Sequence, residues 1–421
     1  MDVMSYIEKG VSPYHVVDET KQWLKKEGFS ELRLEEEWHL EKGRGYFVSP
    51  YESCLFAFLP GNEQVRIAAA HTDQPMLKIK PNPVLTREGN YVVNVESYGG
   101  MILHTWFDRP LSIAGKVVCR GEQPFTPKVH LYDSGEPLAV VPSLAIHMDR
   151  EVNQKNALNC QIHLLPLCGL FKEEQEKDPL LSYIAADLGV AYEDILDYDL
   201  FFYNPEKPRR VGLKEELLVS PRLDNLTSCH AVIKGLLNAE EGSSKIAALF
   251  DHEEIGSRSK QGANSDLLVW VLEKCFRAME ETQMVAKLSK EQLVKQGFLL
   301  SLDVAHAYHP NYGDKSDPTT KTRLGQGVVI KVSGSQKYNS DSVTNAMMIG
   351  LCEHEQVRYQ RQINRSDIAG GSTLGPILSE SLPIPGADMG IPILAMHSAT
   401  ETAAYADLDE LTKAAEAFFS N

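Results

Sequence analysis

A chain of 421 residues with 43% hydrophobic content carries enough apolar matter for one large core and a second, smaller one, so two domains are expected. Its formal charge of -16 argues against nonspecific nucleic-acid binding, which draws on clustered Lys and Arg, and no such basic stripe is present. No run approaches the roughly 18 uninterrupted apolar residues of a membrane span, and "MDVMSYIEKGVSPYHVV" lacks the basic-then-apolar order of a signal peptide. The expectation is a soluble cytoplasmic protein, whose seven scattered cysteines, without a C-x-x-C pair, are reduced and mostly buried.

In chain order, Val16, Val17, Thr20, Trp23 and Leu24 fall at helical spacing with Gly28 as the stop, and "GYFVSPYESCLFAFLPG" reads as a β pair. From about residue 84 to 170 the texture changes to short β runs separated by Gly and Pro, with a helical stretch next, near "LLSYIAADLGV". The acidic cluster "FKEEQEKD" at 171–178 reads as a solvated helix start or loop. After "YNPEKPRRVG" long helices alternate with apolar strands. The expected fold class is therefore α/β: a mixed, largely parallel sheet with helices on both faces, plus an inserted, mostly β module. Residues 1–85 and 212–421 form the discontinuous main domain and 86–211 the insert.

The chemistry lies in the residues directly after each apolar strand candidate outside the insert. "VRIAAA" leads into His71-Thr72-Asp73, "ELLVS" into Pro221-Arg222-Leu223-Asp224, "KIAALF" into Asp251-His252-Glu253-Glu254, "GFLLSL" into Asp303 and "GIPILAM" into His397. In an open α/β sheet, ligands bind beyond the carboxyl ends of the strands, so these distant residues can converge. Two imidazoles and three carboxylates form a mixed N/O set suited to zinc, and too large a set for one tetrahedral ion that also holds a water, so two metals fit the count better. Asp73, two residues beyond His71 in an extended segment, can hold the second imidazole nitrogen. Asp224 also reads as the N-cap of the helix in "DNLTSCHAVIKGLL". Of the adjacent glutamates in "DHEE", one can face a metal while the other takes a proton from water. In "SLDVAHAYHPNY", Asp303 lies nearest the strand end and is taken as the ligand, with His306 and His309 left as pocket or hydrogen-bonding residues.

"AGGSTLGP" at 369–376 lacks the order and the lysine of a phosphate loop and reads as a flexible loop contacting substrate, Gly371 included. No G-x-S-x-G elbow is present, which lowers the case for covalent catalysis. Lys331 in "VVIKVSG" is a candidate partner for an acidic substrate side chain, against the alternative of a solvated lysine on a strand near the surface.

The sequence resembles the aspartyl aminopeptidase and aminopeptidase I family of dinuclear zinc exopeptidases. The matching segments are "AAHTDQPMLKIKP", "VESYGGMILHTWFDRPL", "LAIHMDREVN", "SPRLDNLTS", "DHEEIGSRSKQGA", "SLDVAHAYHPNY", "GGSTLGPI" and "MHS", in family order over almost the whole chain. The resemblance implies His71, Asp224, Glu254, Asp303 and His397 as ligands of two divalent ions, zinc with cobalt or manganese as substitutes, with Asp224 bridging. It implies Glu253 as general base and Asp73 as the residue orienting His71. It also implies that the insert is a dimerisation domain, that dimers build a dodecamer, and that His147 of "LAIHMDREVN" reaches a neighbouring subunit's site. From the residues alone, His147 is a β-strand histidine with no special role. Gln74 stands where a serine is usual, and "MHSATETAAY" departs from the usual continuation after the histidine.

The implied activity is hydrolysis of the first peptide bond of peptides with a free N-terminus, acidic or neutral residues being the family's two preferences. A dinuclear deacylase or amidohydrolase, and a catalytically silent peptide-binding assembly, are the alternatives. No nucleic acid and no membrane is expected as partner.

Overall fold

The computed structural model describes residues 1–155, 157–171, 178–285, 292 and 295–421. The acidic stretch of the 171–178 cluster, 172–177, lies outside the described residues. Among the described residues no helix is long and apolar enough to cross a membrane, and all seven cysteines are free, five of them buried.

The chain packs as two compact units. The first comprises Met1–Asp73, Pro208–Met396 and Glu401–Asn421, and the second comprises Gln74–Lys207 with His397–Thr400. The first boundary, expected at 85/86, lies at 73/74 because the strand Met76–Arg87 pairs with Asn90–Tyr98 and Ile195–Tyr203 of the second unit.

The first unit is built on a nine-stranded sheet. Its order is Ser30–Leu32, Tyr46–Tyr51, Cys54–Leu59, Ser243–Phe250, Asn62–His71, Gly297–Leu302, Gly386–Gly390, Val328–Lys331 and Tyr359–Gln362. The four central strands from Ser243–Phe250 to Gly386–Gly390 are mutually parallel, and antiparallel pairs appear towards both edges. Successive side chains alternate between two hydrophobic layers. In Asn62–His71, Ala68 and Ala70 join one layer while Val65, Ile67 and Ala69 join the other. One layer is covered by the helices Pro13–Lys26, Leu223–Asn238 and Tyr405–Ser420, the other by Leu267–Glu281 and Leu374–Ser381. Burial on both faces explains why these strands read as continuous apolar runs.

A second, five-stranded sheet joins Arg209–Val211, Leu217–Ser220, Glu401–Ala404, Pro392–Leu394 and Ala305–His306. The strands preceding Asp224 and His397 therefore belong to this sheet, and those ending at His71, Phe250 and Leu302 to the large one. The expectation of one shared sheet edge is corrected to that extent.

The helix Pro13–Lys26 buries Val16, Val17, Thr20, Trp23 and Leu24, and Gly28 comes next in the left-handed region at φ 85°. Its Trp23 stacks on His230 with ring centroids 5.3 Å apart, and His230 Nε2 meets the Met1 carbonyl at 3.1 Å. Burial pushes the imidazole pKa from 6.5 down to about 4. The native ring thus stays neutral where an unfolded one protonates, and unfolding takes up a proton between these values. Stability is full above pH 6.5 and falls as pH drops towards 4, by up to about 3 kcal/mol. Urea unfolding of wild type and His230→Gln across this window should show the excess acid loss in wild type only; identical pH dependence would reject the assignment.

In the second unit, Ile195–Tyr203, Met76–Arg87, Asn90–Tyr98, Leu167–Leu170, Ala139–Val140 and Pro110–Cys119 are successive neighbours. Pairing of the last strand back to the first closes a barrel, with Lys128–Asp133 added outside Pro110–Cys119. Gly115 sits on that closing seam at φ 152°, where a Cβ would lie 2.0 Å from the Asp199 carbonyl oxygen. The helix Pro179–Leu188 starts on the Asp178 cap and ends at Gly189 in the left-handed region.

Candidate metal centre

His71 is the last residue of its strand and is buried. Its Nδ1 faces the Asp73 backbone oxygen at 3.0 Å and Asp73 Oδ1 at 3.3 Å. Those acceptors select the Nδ1-H tautomer and present Nε2 to the opposite side. There Nε2 meets Asp224 Oδ1 at 3.4 Å, Asp303 Oδ1 at 3.8 Å and Glu253 Oε2 at 4.0 Å.

The parallel neighbour Ser243–Phe250 ends in Asp251, and the chain then reverses through His252 in the left-handed region into a single 3-10 turn, Glu253–Ile255. A helical start leaves backbone N-H groups without intrahelical acceptors. Asp73 fills that role, its two carboxylate oxygens accepting from the amides of Glu253 and Glu254, each at 3.1 Å. One carboxylate therefore ties the imidazole and the glutamate turn together. The nitrogens and carboxylate oxygens of His71, Asp224 and Asp303, and of His71, Glu253 and Glu254, come within 4.8 Å of one another in each group.

Asp224 is not the N-cap expected of it. Arg222 occupies that position in the left-handed region, and Asp224 has non-helical dihedrals inside the first turn of Leu223–Asn238. Its own N-H donates to Glu401 Oε2 at 2.9 Å, while the next residue, Asn225, donates from Nδ2 to the Leu302 carbonyl at 2.9 Å, one position before Asp303. The side chain is thereby directed at His71 rather than at the helix amides.

Lys331 is likewise not a solvated residue. It is 3% exposed, with Nζ 3.7 Å from Asp303 Oδ2 and 5.4 Å from the centre of the Tyr338 ring. It is the last residue of Val328–Lys331, three places from Asn62–His71 in the sheet order. His306 is exposed on the short strand Ala305–His306, and Gly371 lies in the segment leading to the helix Leu374–Ser381, where an added Cβ would meet nothing within 4 Å.

His397 packs with the second unit, Nδ1 2.9 Å from the Gly100 carbonyl oxygen. The first unit by itself brings together His71, Asp73, Asp224, Glu253, Glu254 and Asp303. His147, also in the second unit, is exposed in an irregular turn and not on a strand, with exposed Leu144, Ile146 and Met148 around it. Sequence reasoning missed Glu401 and Asp388. Glu401 stood in the segment set aside as divergent; Asp388 could have been found as an acid inside the apolar run "GADMGIPILAM".

Electrostatics decide what the cluster can hold. Two like charges about 4 Å apart repel by about 4 kcal/mol at an effective dielectric near 20, and burial adds to that cost. Burial pushes Glu253 up to about 8, reinforced by Asp303, Asp73 and Asp224 and opposed by His71. For His71, burial disfavours the charged ring, yet the carboxylates of Asp224, Asp303 and Asp73 together hold its pKa well above the ordinary value. Five carboxylates around one imidazole and one ammonium carry a surplus of negative charge that divalent cations neutralise, and the imidazole-carboxylate donors suit zinc.

Residues 6–419 match the family described as aminopeptidase I zinc metalloprotease (M18). A probable M18 family aminopeptidase 2 from Clostridium novyi (strain NT) is 43% identical over 410 residues, covering 95% of this chain and 93% of the relative. Among solved structures, a cryo-EM structure of an Ape4 and Nbr1 complex aligns with TM-score 0.92 at 33% identity, covering 99% of this chain and 84% of the other. A crystal structure of prApe1 aligns with TM-score 0.91 at 25% identity, covering 99% and 92%.

Proposed function

Because the chain belongs to the M18 family of zinc metalloproteases and is an aminopeptidase, a hydrolase acting on peptide bonds, we propose that it releases the N-terminal residue of peptides bearing a free amine at a two-metal site. His71, Asp224, Glu254, Asp303 and His397 would hold the ions, zinc in the native enzyme with cobalt or manganese as substitutes, with Asp224 as the ligand they would share. The observation that carries this reading is the meeting of His71 Nε2 with the oxygens of Asp224, Asp303 and Glu253 within 4.0 Å. His397 joins the set through its strand-end position, and the Gly100 carbonyl beside Nδ1 leaves Nε2 as its ligand nitrogen.

When bound, such ions polarise the scissile carbonyl and lower the pKa of water towards roughly 7. Glu253 takes the proton of the attacking water and passes it to the leaving amine. Asp73 keeps the His71 tautomer and the height of the glutamate turn in register. Lys331 meets an acidic side chain of the residue being released, and His306 and the Gly371 loop line the approach. The second unit is assigned to dimerisation, dimers building a dodecamer, and His147 to a neighbouring subunit's site. The exposed Phe125, Leu170 and Met148 of that unit, 98%, 77% and 75% accessible, support the assignment. Seven free cysteines support residence in the reducing cytoplasm.

A rate panel over N-terminal residues, on zinc-loaded protein with free and N-acetylated peptides, tests the reading. Free-amine peptides should be cleaved and acetylated ones spared; cleavage of blocked peptides alone would make the enzyme a deacylase or amidohydrolase. Lys331→Ala should cost acidic N-termini about 10- to 100-fold in kcat/KM beyond its effect on Leu. An equal loss on both removes Lys331 as selector.

A further inference from the structure

Asp388 lies in the middle of the strand Gly386–Gly390, fully buried among apolar neighbours. A carboxylate there requires partners, and it has them from several segments. The hydroxyl of Thr373 donates to Oδ1, and the Asn339 amide donates to Oδ2. Gly375 passes so near that a Cβ on it would lie 2.7 Å from Oδ2. The antiparallel register that pairs Val329 with Gly390 and Ile330 with Met389 places Lys331 opposite Asp388, and on the other side Ser301, two residues before Asp303, is its parallel partner.

The segments tied to Asp388 are those that border Lys331. Ser340 donates to the Lys331 carbonyl at 2.8 Å, and Tyr338 lies beneath its ammonium. Lys337 Nζ donates to the Gly370 carbonyl at 2.7 Å, and Ser372 donates to the Lys337 carbonyl at 3.2 Å, joining the 337–340 segment to the glycine loop. The Lys331 ammonium in turn favours the charged form of Asp388, which burial opposes.

Building on the reading above, in which Lys331 faces the substrate, we propose that Asp388 is a positioning residue for substrate selection. It sets the direction of the Lys331 ammonium and fixes the Gly370–Thr373 loop beside it. Lys331 lies opposite Asp388 in the register, and its Nζ is 3.7 Å from Asp303 Oδ2 at the metal site. Removing the charge of Asp388 takes away one of the two carboxylates beside the ammonium and frees it from the direction the substrate side chain requires. Asparagine retains the shape but can accept from only one of the two donors through its oxygen.

The test is a double-mutant cycle on zinc-loaded enzyme with Asp- and Leu-initiated peptides, with the melting temperature recorded for every variant. Asp388→Asn should lower kcat/KM on the preferred substrate at least about ten-fold, chiefly through KM. In a Lys331→Met background the same change should cost less than two-fold. Thr373→Val, which removes one donor to Asp388, should shift KM in the same direction by a smaller factor and keeps the question answerable if Asp388→Asn does not fold. Losses that multiply across the cycle, or an Asp388→Asn or Thr373→Val enzyme within two-fold of wild type, overturn the proposal while the aminopeptidase reading stands. A zinc-loaded wild type that cleaves no free-amine peptide overturns both.

Discussion

Glu253→Gln should lower kcat by about three orders of magnitude, within the range expected for loss of a general base, while zinc content and KM change less than about two-fold. The glutamine side chain is of the same size and the turn that carries it is fixed by backbone amides: those of Glu253 and Glu254 both donate to Asp73. The substitution therefore removes the capacity to take a proton and leaves the turn's anchorage in place. Glu253→Asp keeps the carboxylate and withdraws it by one methylene, so it should recover part of the rate. A Glu253→Gln enzyme with near-normal kcat would transfer the proton-accepting role elsewhere, and one that lost its zinc would make Glu253 a ligand.

The second large effect is expected at Asp224. Asp224→Ala removes the oxygen nearest to His71 Nε2, 3.4 Å away, and should weaken zinc retention by more than about 100-fold, beyond the typical cost of losing an outer-shell partner. Activity should disappear with the metal and should not return at zinc concentrations that restore wild type. Stability separates this role from a structural one. Metal-free Asp224→Ala should melt no lower than the metal-free wild type, because a buried negative charge among Asp303, Glu253 and Asp73 has been removed. Zinc should raise the melting temperature of wild type by binding the native state and leave that of the variant unchanged. A metal-free variant that melts far below metal-free wild type would make Asp224 a structural residue instead.

Much of this site was legible in the chain because each residue stands just beyond an apolar run, where the sheet's geometry turns local order into convergence. His71 ends its strand, and Asp251 and Asp303 come directly after the two strands beside it in the large sheet. The helix over Val16, Val17, Thr20, Trp23 and Leu24 and the β pair at 46–59 are also set by local periodicity. Glu401 and Asp388 escaped, and the surroundings of Lys331 and Asp224, both candidates on sequence, stayed open, because they depend on nonlocal register. For Lys331, a candidate against the alternative of a solvated lysine, the antiparallel pairing with Gly386–Gly390 puts the side chain opposite Asp388 and out of solvent. Asp224 has every local mark of a helix cap, but a distant carboxylate, Glu401, accepts its N-H and turns the first helical turn away from capping geometry. The two sheets could not be told apart because strands of three or four residues, such as Pro392–Leu394, show no period of their own. His147 sits in a turn whose exposed apolar neighbours imitate the alternation of a strand.

Occupation of the ground between these residues by metal ions is tested most directly by diffraction from zinc-loaded crystals on both sides of the zinc absorption edge. Two anomalous peaks per subunit are expected within bonding distance of His71, Asp224, Glu254, Asp303 and His397, about 3.5–4 Å apart with Asp224 touching both. Peaks elsewhere on the molecule, or none at His71 and Asp224 in fully loaded protein, would contradict the two-metal site.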